Sequence, residues 1–240
     1  MSGHSKWSTI KRKKGAKDAK RGAEFTRLGK DITLAAREGG GDIAMNAALR
    51  LAVKKAKSAN MPNDNIDRAI KKGTGDLPGI KYEGYIYEGY GPHGIALLIE
   101  VLTDNKNRTV PEIRHLLSKN NGNLGESGCV NWMFEKKGTI LINKSELDEE
   151  NFLNDLLELN IENFEELDDE YQLLIDPAEF SSIIQELENR NYDLEGDLSL
   201  VPINTITIDG QHIDQISNLI DLLEDHDDIQ KVHTNLEVAD

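Results

Sequence analysis

Cysteine is nearly absent from this chain of 240 residues, which contains only Cys129. A single thiol can form no internal disulfide and cannot supply a zinc site built from several cysteines. Long apolar runs are also missing: no stretch approaches the roughly 18 residues that a membrane span requires, and no apolar signal-peptide segment follows the basic N-terminus. We therefore expect a protein of the reducing cytoplasm with no membrane contact.

Basic residues are scarce toward the C-terminus and dense at the N-terminus. Residues 1–75 contain 18 Lys and Arg against 7 Asp and Glu, a formal charge of +11. Residues 76–142 contain 7 against 8, and residues 143–240 contain 3 against 28, so the whole chain has a formal charge of −15. This gradient indicates separate modules, one suited to a polyanion and another that a polyanion would repel.

Helical periodicity dominates the basic module after a start that has few apolar anchors. Apolar residues recur at three- and four-residue steps from Phe25 to Ala36, and the three glycines at 39–41 end this helix. Asn46 is placed to cap a second helix, and a third, shorter helix is expected to end at Gly73. The pattern predicts a basic helical domain over residues 1–75.

Strand patterns begin beyond residue 75. Alternating residues followed by a turn at 89–94 predict a hairpin, and a helix over 106–120 and a strand over 130–134 come next. Segments between 139 and 201 follow the order βαββαβ, the split unit of a ferredoxin-like fold. The final strand, helix and strand, in residues 203–240, would then complete the ββαβ unit that the hairpin begins.

We therefore predict an α+β protein in which an N-terminal three-helix domain precedes two ferredoxin-like α+β domains, one inserted into the other. The middle domain is assigned to residues 76–136 and 203–240, and the inserted acidic domain to residues 137–202. Because of its charge, the acidic part should point away from a bound nucleic acid, with transient masking of the basic arm as an additional hypothesis.

Patterns typical of catalysis and metal binding are weak. Gly89, Gly91 and Gly94 match G-x-G-x-x-G, but Pro92 lies inside the match and a strand follows where a nucleotide site needs a helix N-terminus, so a hairpin turn is favoured. The six histidines lack metal-ligand spacing, and Cys129 lacks an activating partner. We expect no enzyme activity, catalytic residue, metal, cofactor or small-molecule substrate, and no pattern specifies an oligomeric state.

Eight of the eighteen residues from 5 to 22 are Lys or Arg. Such side chains release counterions from a phosphate backbone, which favours nucleic-acid binding. Trp7 either stacks on an unpaired base or anchors the arm against the helical core. The helices present mostly Lys and Ala, so we expect contacts to the phosphate backbone, which DNA and structured RNA share. The predicted nucleic-acid-binding residues are Lys6, Trp7, Lys11, Arg12, Lys13, Lys14, Lys17, Lys20, Arg21, Arg27, Lys30, Arg37, Lys54, Lys55 and Lys57.

A secondary phosphate site is a further hypothesis. Asn105, Lys106 and Arg108 lie at the start of the helix predicted over 106–120, where uncapped N–H groups beside two cations could receive a phosphate. The alternative is a plain helix cap with two solvated basic side chains.

Six motifs occur in order and span nearly the whole chain: GHSKWSTIKRKKGAKDAKRG, AAREGGGD, ANMPNDNIDRAIKKGTG, YEGYGPHG, LTDNKNRT and LLEDHDDIQKVH. In these motifs the chain resembles the YebC/PmpR family, bacterial proteins with a mitochondrial relative that activates translation of a cytochrome oxidase subunit. The resemblance implies three domains and a cytosolic regulator of gene expression without catalytic activity. Members of the family have been described as DNA-binding transcriptional regulators and as factors acting on translating ribosomes.

The predicted function is therefore a non-enzymatic, nucleic-acid-binding regulator, in the first place a DNA-binding transcriptional regulatory protein. A ribosome- or RNA-associated translation factor is the alternative, and a protein–protein scaffold is the second alternative.

Overall fold

The computed structural model describes residues 21–78, 82–145 and 147–238, with side chains from residue 25 onward. Three helices come first: α1 (Arg21–Gly39), α2 (Ala47–Ser58) and α3 (Asn63–Thr74). Their shared core consists of the apolar residues that the helical spacing selects, among them Ile32, Leu49 and Ala56, which are fully buried. The predicted helical pattern is confirmed over the described part of this module.

Asn46 caps α2 as predicted, and its side chain also fixes the preceding loop. Its Oδ1 accepts the N–H of Leu49 at 3.0 Å, while its Nδ2 donates to the carbonyl oxygens of Ala35 and Gly40, both at 2.8 Å. One amide thus links the end of α1 and the loop after it to the first turn of α2, where the N–H groups lack partners within the helix.

The predicted end of the third helix at Gly73 is wrong. Gly75 ends α3 instead, with a left-handed φ of 82° that favours glycine. Gly73 lies inside the last turn, where a Cβ would overlap the carbonyl oxygen of Thr33 in α1. A glycine is needed at this position because the two helix backbones approach each other closely.

The first sheet is antiparallel and has the strand order β3-β1-β2-β9. Its elements are β1 (Glu83–Tyr90), β2 (Ala96–Thr103), α4 (Lys106–Lys119), β3 (Asn123–Leu124), α7 (Gly210–Glu224) and β9 (Ile229–Thr234). The 89–94 segment is the predicted hairpin turn, with a 3-10 turn at Pro92–Gly94. Buried residues of the sheet and of both helices, including Ile99, Ile113 and Ile216, form one core.

The second sheet is also antiparallel, with the strand order β5-β6-β4-β7. Its elements are β4 (Phe134–Asn143), α5 (Glu149–Leu156), β5 (Asn163–Glu166), β6 (Glu170–Ile175), α6 (Phe180–Asn189) and β7 (Leu194–Pro202). The predicted βαββαβ sequence is therefore present, and its core includes Phe152, Leu173 and Ile184. In the first sheet, by contrast, a hairpin joins the two central strands directly, so its connectivity differs from the ferredoxin-like order that we predicted for both units.

The strand predicted over 130–134 is wrong, and a buried carboxylate explains the difference. Glu88, whose exposed fraction is 7%, accepts backbone N–H groups from Gly128 at 2.6 Å, Val130 at 2.8 Å and Asn131 at 2.7 Å. These N–H groups are therefore not available to a strand ladder. The segment forms a 3-10 turn at Asn131–Met133, and β4 begins at Phe134.

The first strand after Pro202 also has a different partner from the one predicted. β8 (Ile206–Ile208) pairs in parallel with β10 (Leu236–Val238) and not with the first sheet. The chain leaves that sheet at Asn235, whose Oδ1 accepts the N–H of Ala96 at 2.7 Å. With helices first and antiparallel sheets after them, the α+β class is confirmed, whereas the domain boundaries near residues 75, 136 and 202 stay predictions.

Candidate nucleic-acid interface

Most of the predicted basic arm lies outside the described residues. This holds for Lys6, Trp7, Lys11, Arg12, Lys13, Lys14, Lys17 and Lys20. Arg21 is the first residue of α1, and its side chain is also outside the described part. Among the predicted binding residues, only the cations of the three helices can therefore be placed in the structure.

Two predicted cations of α1 face the first-sheet unit, which consists of β1–β3, β9, α4 and α7. Lys30 has an exposed fraction of 9%, and its Nζ donates to the carbonyl oxygens of Glu224 and, at 2.9 Å, His226. Burial lowers the pKa of Lys30, and the nearby carboxylate of Glu224 opposes this shift. Arg27 lies 3.8 Å from the same carboxylate. Both cations thus contact the C-terminal end of α7, where the helix dipole favours positive charge.

Arg37, in the last turn of α1, has an exposed side chain that lies against the first strand of the first sheet. Its guanidinium is so close to Gly84 that a Cβ there would overlap it. The absence of a side chain at Gly84 therefore makes room for this cation. Arg37 sits at a junction between units rather than on an open helical face.

The polar face of α2 is only partly open. Lys54 and Lys57 are exposed and have no ion-pair partner among the described residues. Lys55 pairs with Glu195 of β7, with 2.7 Å between Nζ and Oε2. Arg50, which the predicted set leaves out, pairs with Glu188 of α6 at 2.9 Å. Half of the four cations on this face are thus held by the acidic part of the chain.

Two exposed cations on α3 are also missing from the predicted nucleic-acid-binding residues: Arg68 and Lys71. They stand three positions apart, on the side opposite the buried Ile66, and this spacing was visible in the sequence. Lys72, the next residue, differs from both because its Nζ lies 4.8 Å from the centre of the Tyr82 ring and burial lowers its pKa. Arg68 and Lys71 therefore extend the set of cations open to solvent.

At the predicted secondary phosphate site, the polar and charged side chains already have partners within the protein. Asn105 caps α4 by accepting the N–H of Arg108 at 3.2 Å, and the Nζ of Lys106 lies 4.6 Å from the centre of the Tyr85 ring. The Arg108 guanidinium pairs with Asp104 at 3.1 Å and with Asp228 at 2.7 Å. Two carboxylates therefore already balance the cation that was predicted to receive a phosphate.

The carboxylate of Asp228 lies at the start of α4, where a phosphate was predicted to bind. Its Oδ2 accepts hydrogen bonds from the hydroxyls of Thr109 at 2.6 Å and Thr103 at 3.0 Å, in addition to the bond from Arg108. Burial alone would raise the pKa of this carboxyl, but these donors outweigh it and the pKa lies below its usual value. This arrangement favours a cap over an exchangeable phosphate site.

Within residues 21–78, 82–145 and 147–238, no three His, Cys, Asp or Glu side chains are grouped so that they could hold a metal ion. Over the same ranges, no helix has the length and apolar character that crossing a bilayer demands.

Together, the fold and its charges define an α+β protein whose cationic part is an N-terminal group of helices. Models of the TACO1/YebC N-terminal domain and of the TACO1/YebC second and third domain match residues 5–76 and 82–236, respectively. The chain belongs to the TACO1/YebC family.

Relatives and a solved structure agree with this assignment. Proteins of Halothermothrix orenii and Desulfotalea psychrophila are 50% and 52% identical to this chain over alignments of 244 and 240 positions. The alignments cover 100% and 99% of this chain and 96% of each relative. Both are called probable transcriptional regulatory proteins, a name that denotes a regulator and not a class of enzyme. The crystal structure of a conserved hypothetical protein from Aquifex aeolicus is 39% identical, covers 93% of each chain and superposes with a TM-score of 0.80.

Proposed function

We propose that this protein is a non-enzymatic regulator of gene expression that binds DNA through its basic N-terminal part. The observation that carries the proposal is the +11 formal charge of residues 1–75 within a chain of −15. The names of the relatives support the regulatory role. Lysine and arginine contacts to phosphates release counterions, so the affinity should fall steeply with salt.

The exposed cations of the helices carry the testable part of this proposal. Lys54 and Lys57 are three positions apart and lie close together on one side of α2. Each contact to duplex DNA contributes about −0.9 to the slope of log affinity against log salt. The variant Lys54→Gln/Lys57→Gln should therefore bind a labelled DNA duplex more weakly, with a slope that is shallower by up to about 1.8.

A matched control comes from exposed cations outside the three helices. Arg114 and Lys119 are exposed on α4, and Arg114→Gln/Lys119→Gln removes the same charge from the first-sheet unit. This control should keep the wild-type slope. Equal losses in both double variants would mean that net charge alone, and not a binding face on α2, governs the affinity.

A second candidate function is a translation factor that binds structured or ribosomal RNA. Its basis is that the exposed cations of α2 are lysines, compact point charges that suit phosphate contacts and have no geometry specific to DNA. Duplex DNA and structured RNA both offer such phosphates. Crosslinking in cells followed by sequencing of the bound DNA and the bound RNA distinguishes the two functions, because RNA recovered from ribosomes with no enriched DNA would replace the first proposal by the second.

A further inference from the structure

We propose that the acidic second-sheet unit, which consists of β4–β7, α5 and α6, masks part of the nucleic-acid interface by pairing two cations of α2 with its own carboxylates. The inference rests on the proposed function and adds a regulatory element to the same site. The two contacts are the ion pairs from Arg50 to Glu188 and from Lys55 to Glu195, at 2.9 and 2.7 Å.

An apolar contact between α2 and the second-sheet unit fixes the position of the masking carboxylates. Ala47 and Leu51 of α2 are buried, with exposed fractions of 3% and 5%. They belong to the same core cluster as Phe180 and Ile183 of α6. Because α2 and the second-sheet unit share this cluster, the carboxylates of that unit are held beside the basic face of α2 and do not reach it by chance encounters.

The masked arginine belongs to the same stripe as the two open lysines. Arg50, Lys54 and Lys57 stand at positions i, i+4 and i+7, which lie on one side of a helix. A phosphate backbone that follows Lys57 and Lys54 would next meet Arg50, whose guanidinium is paired with Glu188. The contact thus shortens the cationic stripe by one residue, and the pair from Lys55 to Glu195 holds a second cation close by.

The ion pairs are weak enough to be exchanged. The side chains of Lys55 and Glu195 have exposed fractions of 48% and 45%, and those of Arg50 and Glu188 have 32% and 28%. Partly exposed pairs of this kind contribute little free energy and are screened by salt. The mask should therefore tune the affinity for a polyanion rather than abolish binding.

The test removes the two masking charges and keeps the shape of the side chains. Glu188→Gln/Glu195→Gln should bind a fluorescein-labelled 25-base-pair DNA about three- to thirtyfold more tightly at low salt than the wild type. Its salt slope should be steeper by about 0.9 for each freed cation that reaches a phosphate. The matched control is Glu150→Gln/Asp169→Asn, which removes the same charge from exposed positions on α5 and in the turn before β6. Hydrogen exchange of α2 verifies that the apolar contact persists in both variants.

A second pair of substitutions tests whether the gain in DNA affinity comes from the two freed cations. Adding Arg50→Gln and Lys55→Gln to the unmasked variant should return the affinity and the slope to wild-type values, because the freed cations are then missing. Equal gains in the unmasked variant and in the matched control would overturn the mask while leaving the proposed function intact. If neither the wild type nor any variant binds the DNA or an RNA duplex of the same sequence, the proposed function fails together with the mask.

Discussion

The Nζ of Lys30 donates a hydrogen bond of 2.9 Å to the carbonyl oxygen of His226, which lies 196 positions later in the chain. The same ammonium also donates to the carbonyl of Glu224. A side chain that was predicted to contact phosphate thus joins the first helix to the end of α7. Charge identifies a cation, but tertiary structure decides its partner.

Replacing Lys30 should therefore affect folding before it affects binding. Lys30→Met keeps the apolar stem and removes two hydrogen bonds from a charged donor, so the free energy of unfolding should fall by about 1–3 kcal/mol. Urea denaturation measures the change. Lys57→Met, at an exposed position, should stay within about 0.5 kcal/mol of the wild type. Equal stabilities of the two variants would show that the contact with α7 is energetically neutral.

Glu88 should be a second determinant of stability. Glu88→Gln replaces one carboxylate oxygen by an NH2 group, which must face a backbone N–H that now has no acceptor. We expect a loss of about 2–3 kcal/mol in the free energy of unfolding, because a buried donor is left unpaired. Denaturant unfolding of Glu88→Gln beside Glu126→Gln, an exposed position in the same segment, provides the comparison. A Glu88 variant as stable as its neighbour would contradict the role of the buried carboxylate.

Acid should weaken the protein partly through the same carboxylate. Burial alone would raise the pKa of Glu88, but the three backbone donors outweigh it and hold the pKa below the usual 4.5. A carboxyl whose pKa is lower in the folded state stabilises the fold fully above its unfolded pKa, and this contribution is lost as the pH falls through the folded value. Denaturant unfolding over a pH series should show a steeper loss of stability below pH about 4.5 in the wild type than in Glu88→Gln. Parallel curves for the two proteins would refute this assignment.

Two glycines in the N-terminal helices should respond in opposite directions to the same substitution. Gly73→Ala would overlap the carbonyl of Thr33 and force α1 and α3 apart, at a cost of about 1–3 kcal/mol. Gly29 lies inside α1, and among the described residues no heavy atom beyond the adjacent backbone of α1 comes within 4 Å of a Cβ placed there. Gly29→Ala should therefore stabilise the protein by up to about 1 kcal/mol through helix propensity. Thermal unfolding of both variants tests the pair, and a neutral Gly73→Ala would show that the helices can separate without cost.

Much of the fold was predictable because its causes are local. The apolar spacing around Ile32, the side-chain cap at Asn46 and the βαββαβ order of the second sheet all follow from residues close together in the chain. The errors have non-local causes. The strand expected at 130–134 is prevented by Glu88, some 40 positions earlier, and β8 pairs with β10, which lies beyond the whole of α7 and β9.

The same division applies to the candidate interface. Composition by itself determined that residues 1–75 carry the positive charge and that the C-terminal part carries the negative charge, because a formal charge needs no knowledge of the fold. Only the tertiary structure decided which cations stay open. Lys54 and Lys57 are exposed, whereas Arg50, Lys55 and Lys30 contact groups 138, 140 and 194 positions away. Contacts over such separations depend on how the folded units pack together, so the local sequence around each cation does not predict its partner.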